Sequence, residues 1–151
     1  MKPSGKNKDY VQGKFAPKNN LKYKGTYPII YRSSMELKAM RWMDNNPNVL
    51  KWTSETIIIP YISPVDNKTH RYFTDLSCEM KMKDGSIKKL IIEVKPEKQT
   101  YPPIESPRKK KKTILYERYN YAINCAKWEA AKNWAKNKGY TFLVLTEKHL
   151  N

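Results

Sequence analysis

Asp75, Glu93 and Lys95 are the residues of this chain whose types and spacing suit a chemical task. Glu93 and Lys95 lie in Leu90-Ile91-Ile92-Glu93-Val94-Lys95, a stretch of strand composition. Alternation along a strand puts both on one face and Leu90, Ile92 and Val94 on the other. Upstream, Lys83-Asp84-Gly85-Ser86 holds Asp-Gly between apolar runs, the strongest short-range hairpin signal. The preceding strand then runs antiparallel and carries Asp75 close to Glu93. Two carboxylates and an ammonium converge at the rim of a sheet whose other face is core. That trio suits metal-assisted phosphodiester hydrolysis. Mg²⁺, or Mn²⁺ in its place, takes hard oxygen ligands and keeps several waters, so Asp75 and Glu93 with a substrate phosphate suffice as metal ligands. A cation held there polarises a phosphoryl oxygen and acidifies bound water, while Lys95 orients that water or offsets charge on the phosphate.

The elements that must position these residues follow from turn and periodicity signals. Ser33-Ser34-Met35-Glu36 has capping-box spacing, with Ser33 as N-cap and Glu36 returning to its amide. The helix it opens carries Leu37, Met40 and Met43 on one stripe and stops before Asn45-Asn46-Pro47. Strands are predicted over Val49 to Tyr61, His70 to Met82 and Ile87 to Lys95. Four prolines and the run Arg108, Lys109, Lys110, Lys111, Lys112 predict an irregular basic loop over 96–112. A long helix from Thr113 to Lys138 has Leu115, Tyr119, Ala122, Ala126, Ala130 and Trp134 near helical spacing, with Gly139 at its C-terminal stop. Lys127 and Asn124 read as surface residues of that helix, and the tyrosines and tryptophans as packing. A buried strand, Tyr140 to Leu145, closes the order helix, three strands, helix, strand. The fold class is α/β, a mixed sheet flanked by helices.

Length and charge bound the rest. The 151 residues suit one domain, and 30 Lys+Arg against 14 Asp+Glu give a formal charge of +16. So large a surplus needs a polyanionic partner. No apolar run approaches the roughly 20 residues that span a bilayer, which argues against a membrane role. Cys78 and Cys125 read as reduced and buried, as in an intracellular protein, and no zinc spacing is present. Residues 1–26 read as a basic arm, disordered or docked on a partner, and residues 27–151 as the single folded domain. Arg108 to Lys112 are the candidate nucleic-acid-binding residues.

The pattern Asp75…Glu93-Val94-Lys95 resembles the PD-(D/E)xK motif of restriction-endonuclease-like nucleases, with Thr74 where that motif has proline. The predicted order of elements resembles that fold's common core. Tyr31-Arg32-Ser33-Ser34-Met35-Glu36, Ser54-Glu55 before Ile58-Ile59-Pro60-Tyr61, His70-Arg71-Tyr72 before Asp75, and Glu93-Val94-Lys95-Pro96 look like the nuclease domain of heteromeric transposases. With the short length and basic arms, the same strings are similar to the head-completion nucleases of T-even-type tailed bacteriophages. This resemblance implies a metal-dependent DNA endonuclease with Asp75 and Glu93 as ligands, Lys95 as catalytic lysine and Glu36 completing the acidic cluster. It implies action late in phage head completion, on DNA beside portal or neck proteins, in the bacterial host cytoplasm or the virion. Two other readings compete. One is a structural DNA- or portal-binding protein with little catalysis. The other is a nuclease subunit of a mobile element, against which the end of the chain just after the last core strand argues.

Overall fold

The computed structural model describes residues 12–150. Its centre is a four-stranded sheet of β3 (Val49–Ser54), β6 (Leu76–Lys81), β7 (Ile87–Val94) and β8 (Tyr140–Leu145), in that spatial order. β3, β6 and β7 pair antiparallel and β8 joins β7 in parallel. The parallel pairing demands a crossover, which α2 (Lys111–Lys138) supplies. On the other face lies α1 (Ser34–Asn45), with Ala39, Met40 and Met43 buried against Trp52, Leu76, Leu90, Ile92 and Val94. Helix, three strands, helix and strand therefore stand as the sequence predicts. A mixed sheet lies between helices, and a last turn, α3 (Glu147–Leu150), follows β8.

Both long predicted strands are broken. Where one strand is predicted over Val49 to Tyr61, β3 ends at Ser54 and β4 (Ile58–Ile62) begins afresh. Opposite, β5 (Thr69–Phe73) and β6 are separated by Thr74 and Asp75. The two ladders are out of step: Ser54 faces Leu76, whereas Ile58 faces Phe73. Residues 55–57 thus oppose only 74–75, a bulge of one residue that bends the strands and frees side chains from the ladder. Glu55 absorbs the turn at φ 53, and its amide donates to the Asp75 carbonyl at 3.0 Å. Thr74 fastens the other side, donating from its amide and its hydroxyl to the Ile57 carbonyl. Beyond the bend, β4 and β5 leave the sheet as a separate hairpin. It covers α2 through Ile59, Tyr61 and Tyr72, and Ile91, fully buried, meets them from the sheet. Both sheet faces are therefore core, not one.

The amino-terminal segment predicted to be unstructured is seated on the domain over its described part; residues 1–11 lie outside the described residues. β1 (Gly13–Phe15) pairs with β2 (Ile29–Tyr31). Tyr23 is only 5% exposed, its ring 4.7 Å from that of Trp52, and Phe15 meets Trp52 edge-on at 5.7 Å. The Lys22 ammonium donates to the carbonyls of Asp44 and Asn46, closing the carboxyl end of α1. Phe15 and Tyr23, which the sequence offers for docking on a partner, dock instead on Trp52 of the same chain. The basic loop also differs: Glu97–Thr100 is a 3-10 turn, and Lys111 and Lys112 already belong to α2. On α2, Ile123, Ala131 and Ala135 pack inward together with Ala126, Ala130 and Trp134 of the predicted stripe, while Leu115 and Tyr119 are exposed. Cys78 is buried, which pushes its thiol up to about 12, but Cys125 is exposed on α2, contrary to expectation.

Because Tyr23 fills the core beside Trp52, Tyr23→Ala should cost about 3 kcal/mol of folding stability, as truncation of a buried aromatic does. Equilibrium urea unfolding measures it. A change below about 1 kcal/mol would mean that the segment only rests on the surface.

Candidate active site

The register of β6 and β7 decides which side chains meet. Leu76 faces Ile92, so the next position outward sets Asp75 opposite Glu93. Directly opposed residues of an antiparallel pair project to the same face. That face is the one covered by α2 and the β4–β5 hairpin, and Glu93 is only 7% exposed there. Asp75 stands in the bulge, off the ladder, and its Oδ2 accepts from the Val94 amide at 2.8 Å. The two carboxyls interact directly. Burial, then the Glu93 charge and then Glu36, hold the Asp75 carboxyl well above the usual carboxylate range. Glu93 is raised by burial and pulled back by the Tyr72 hydroxyl, Lys95 and Lys127.

The surrounding groups fix Glu93 from several sides. Tyr72, buried on β5, donates its hydroxyl to Glu93 Oε2, and burial followed by the Glu93 charge raises that phenol. Lys95, just past the end of β7, places Nζ 3.9 Å from Glu93 Oε1. Its amide donates to the Leu145 carbonyl, which ties it to the end of β8. Lys127 enters from α2, its Nζ 5.4 Å from the Tyr72 ring centroid and 5.8 Å from that of Tyr61. Burial lowers the Lys127 ammonium, Glu93 opposes that, and Lys95 adds to it.

Glu36 joins the cluster through electrostatics and keeps a capping task. Ser33 Oγ accepts from the Glu36 amide at 3.1 Å, as the capping box predicts. The return bond goes one residue earlier than predicted, Glu36 Oε2 accepting from the Arg32 amide at 2.7 Å. Burial raises the Glu36 carboxyl, the Arg32 amide and charge lower it, and Glu55 and Glu93 raise it again.

The structure thus brings together Asp75, Glu93 and Lys95, with Glu36 behind them. It places Arg108, Lys109, Lys110, Lys111 and Lys112 elsewhere, around the amino-terminal end of α2. Lys109 is committed locally, bonding the Ile104 carbonyl at 2.8 Å and Glu117 at 2.9 Å. Two site residues were not assigned from sequence. Lys127 was read as helix surface, yet Ile123, Lys127, Ala131 and Ala135 form one i, i+4 row, so a cation interrupting the packed row was the available signal. Tyr72 carried none, since a strand tyrosine is ordinary core.

The donor set is all oxygen and fits a hard divalent cation. Two facing carboxyls, each raised by burial, are a place where positive charge is missing. Among the described residues no group of three His, Cys, Asp or Glu side chains is arranged to hold a metal ion. Two carboxylates with open positions suit an ion that retains water and takes a substrate oxygen.

In Asp75→Asn the amide oxygen can keep the Val94 bond while its NH₂ donates to Glu93, so a repulsion becomes an attraction. In EDTA the variant should melt about 3–6 °C above wild type by differential scanning fluorimetry. Since the folded Asp75 carboxyl is raised, its stabilising protonated state is complete below the ordinary value of 3.8 and is lost as pH rises through the raised one. The gap between variant and wild type should therefore widen as pH rises from 3.8 to the raised value and stay constant above it. A variant that melts lower at every pH would show the carboxyls are not in conflict.

Comparison with known proteins bears on the same residues. Residues 46–147, which include Asp75, Glu93, Lys95 and Lys127, match the family described as TnsA-like endonuclease N terminal. The head completion nuclease of Enterobacteria phage T4 is 40% identical over 142 residues, spanning 91% of this chain and 92% of that protein. By both matches this chain belongs to the TnsA-like endonuclease N-terminal family, a restriction-endonuclease-like family.

Proposed function

We propose that the chain is a metal-dependent DNA endonuclease of the PD-(D/E)xK type that acts in phage head completion. The observation that carries this reading is the juxtaposition of Asp75 and Glu93 across β6 and β7 with Lys95 beside them, inside a chain of charge +16. Asp75 and Glu93 would hold Mg²⁺, or Mn²⁺ in its place, which when bound supplies charge to a phosphoryl oxygen and acidifies water. The chain's own residues do the positioning. The Val94 amide and the Tyr72 hydroxyl fix one oxygen of each carboxylate, leaving the others to face the substrate. Lys95 is anchored at its backbone between the ends of β7 and β8, so its ammonium is brought to the phosphate at little further entropic cost. There it donates to a phosphate oxygen and offsets the charge that grows as the nucleophile adds.

The DNA-holding surface in this reading is the amino-terminal end of α2. The first turn of α2 has no acid, and Lys110, Lys111 and Lys112 crowd the positive end of the helix dipole. That arrangement opposes stability, so an anion supplies the reason for it. From Lys127 back to Lys111 the helix runs about 24 Å, at ~1.5 Å per residue. A duplex lying along α2 spans both with roughly seven base pairs.

Incubated with duplex DNA and Mg²⁺ or Mn²⁺, wild type should cut. Asp75→Asn should fall to background, Lys95→Ala should lose about a hundredfold or more in rate, and EDTA should stop the reaction. Equal activity in wild type and both variants would place the chemistry elsewhere. Replacing Arg108, Lys110, Lys111 and Lys112 with alanine should weaken DNA binding and flatten the slope of log K against log salt by up to ~3–4, about 0.9 per lost phosphate contact. An unchanged slope in fluorescence anisotropy would assign those charges to a protein partner.

A further inference from the structure

We propose that Lys127 is a second substrate-contacting cation, which grips the scissile phosphodiester together with Lys95. The inference rests on the nuclease reading above and extends it to a residue outside the Asp75…Glu93-Val94-Lys95 pattern. It begins from where the side chain is held. Lys127 stands in the row Ile123, Lys127, Ala131, Ala135, which packs α2 against the β4–β5 hairpin and the sheet. The small alanines let the helix approach, and a leucine or methionine at position 127 would extend the same apolar contact. Fixing a lysine there instead costs side-chain entropy and hydration. A purely structural role does not explain that choice.

The surroundings aim the ammonium at the reacting centre. Tyr72 and Tyr61 offer ring faces 5.4 and 5.8 Å from Nζ, a cation–π seat for a charge that Glu93 and Asp75 also attract. Lys95 is already engaged by Glu93 at 3.9 Å, whereas the contacts that seat Lys127 are with rings. Charge arithmetic gives the second cation a purpose. With a metal ion holding the acids as carboxylates, Glu36, Asp75 and Glu93 would contribute −3 and Lys95 and Lys127 +2. With one divalent cation the sum is +1, the complement of a single phosphodiester. Without Lys127 it is zero, and the site holds its metal with no surplus for the substrate.

The test compares Lys127→Met with Asp75→Asn and with Lys132→Met, which removes an exposed charge from the same helix. Melting curves in EDTA establish that each variant is folded at the assay temperature; if Lys127→Met is not, Lys127→Gln takes its place. Lys127→Met should lower the single-turnover rate on duplex DNA about a hundredfold, and Lys132→Met should stay within about twofold of wild type. The second readout is binding of the dinucleotide thymidylyl-thymidine, one diester, followed by NMR titration in Mg²⁺. Its dissociation constant should rise about fivefold or more in Lys127→Met and hold in Lys132→Met. Cleavage by Lys127→Met within about threefold of wild type, with Asp75→Asn inactive, overturns the role of Lys127 and leaves the nuclease reading standing. Lost cleavage with unchanged dinucleotide affinity also overturns it, making Lys127 a support for Tyr72 and Glu93. Cleavage by Asp75→Asn at the wild-type rate would instead remove the nuclease reading itself.

Discussion

The meeting of two buried carboxyls, Asp75 and Glu93, is the constraint to which the rest of the site answers. Placing like charges side by side away from water is unfavourable: burial raises both groups, and the Glu93 charge raises Asp75 further. Each neighbour lessens that penalty without abolishing it: the Val94 amide on Asp75, the Tyr72 hydroxyl on Glu93, and Lys95 and Lys127 flanking both. A hydrophobic pair opposite one another at that register would be more stable. That the fold instead keeps an acid pair, with its compensations incomplete, is the physical mark of a functional site.

One irregularity in the backbone makes the arrangement possible. A continuous hairpin would have kept Asp75 in the ladder and run β4 and β5 on as part of the sheet. The extra residue among 55–57 does two things at once. It releases Asp75 so that its carboxyl turns to the Val94 amide, and it bends the hairpin off the sheet so that Tyr61 and Tyr72 come to lie against α2. Those tyrosines hold Lys127 and Glu93, so the bulge positions three of the five charged groups of the site. Glu55 shares in this from its left-handed conformation, bridging to Arg32, whose amide in turn holds Glu36.

This explains which features were legible in the sequence. Periodicity, an Asp-Gly turn and a capping box are local codes, and they gave α1, β7, β8, the hairpin at Gly85 and the facing of Asp75 and Glu93. The break in the long strands was not readable, because Ser54-Glu55-Thr56 carries neither Gly nor Pro and β-branched residues stand on both sides of it. What bends the chain there is the coverage of the second sheet face by α2, a long-range demand. The stripe of α2 was legible in part, since Ala126, Ala130 and Trp134 pack as predicted. Alanines and aromatics occur on several faces of that helix, so only the position of the sheet decides that Ala131 and Ala135 are innermost. The seating of Tyr23 on Trp52 depends on contacts between segments about thirty residues apart, which composition alone does not reveal.

The net charge divides into parts with different physical consequences. Lys22 closes the end of α1 and Lys109 ties a loop to Glu117, so these lysines serve the fold. Lys95 and Lys127 sit against the acid pair, which partly cancels their charge. Lys110, Lys111 and Lys112 lie at the far end of α2, against its dipole and with no acid in the first turn. In the proposed reading, a helix with basic charge at one end and Lys127 towards the other would fix the distance between where DNA is held and where it is cut. Strengthening either end alone would not help. Tighter holding at the amino-terminal end raises the affinity of substrate and transition state alike, whereas only charge beside Asp75 and Glu93 distinguishes the two. On the proposed reading the basic surplus would govern encounter, and the few acids, with the lysines set among them, would govern rate.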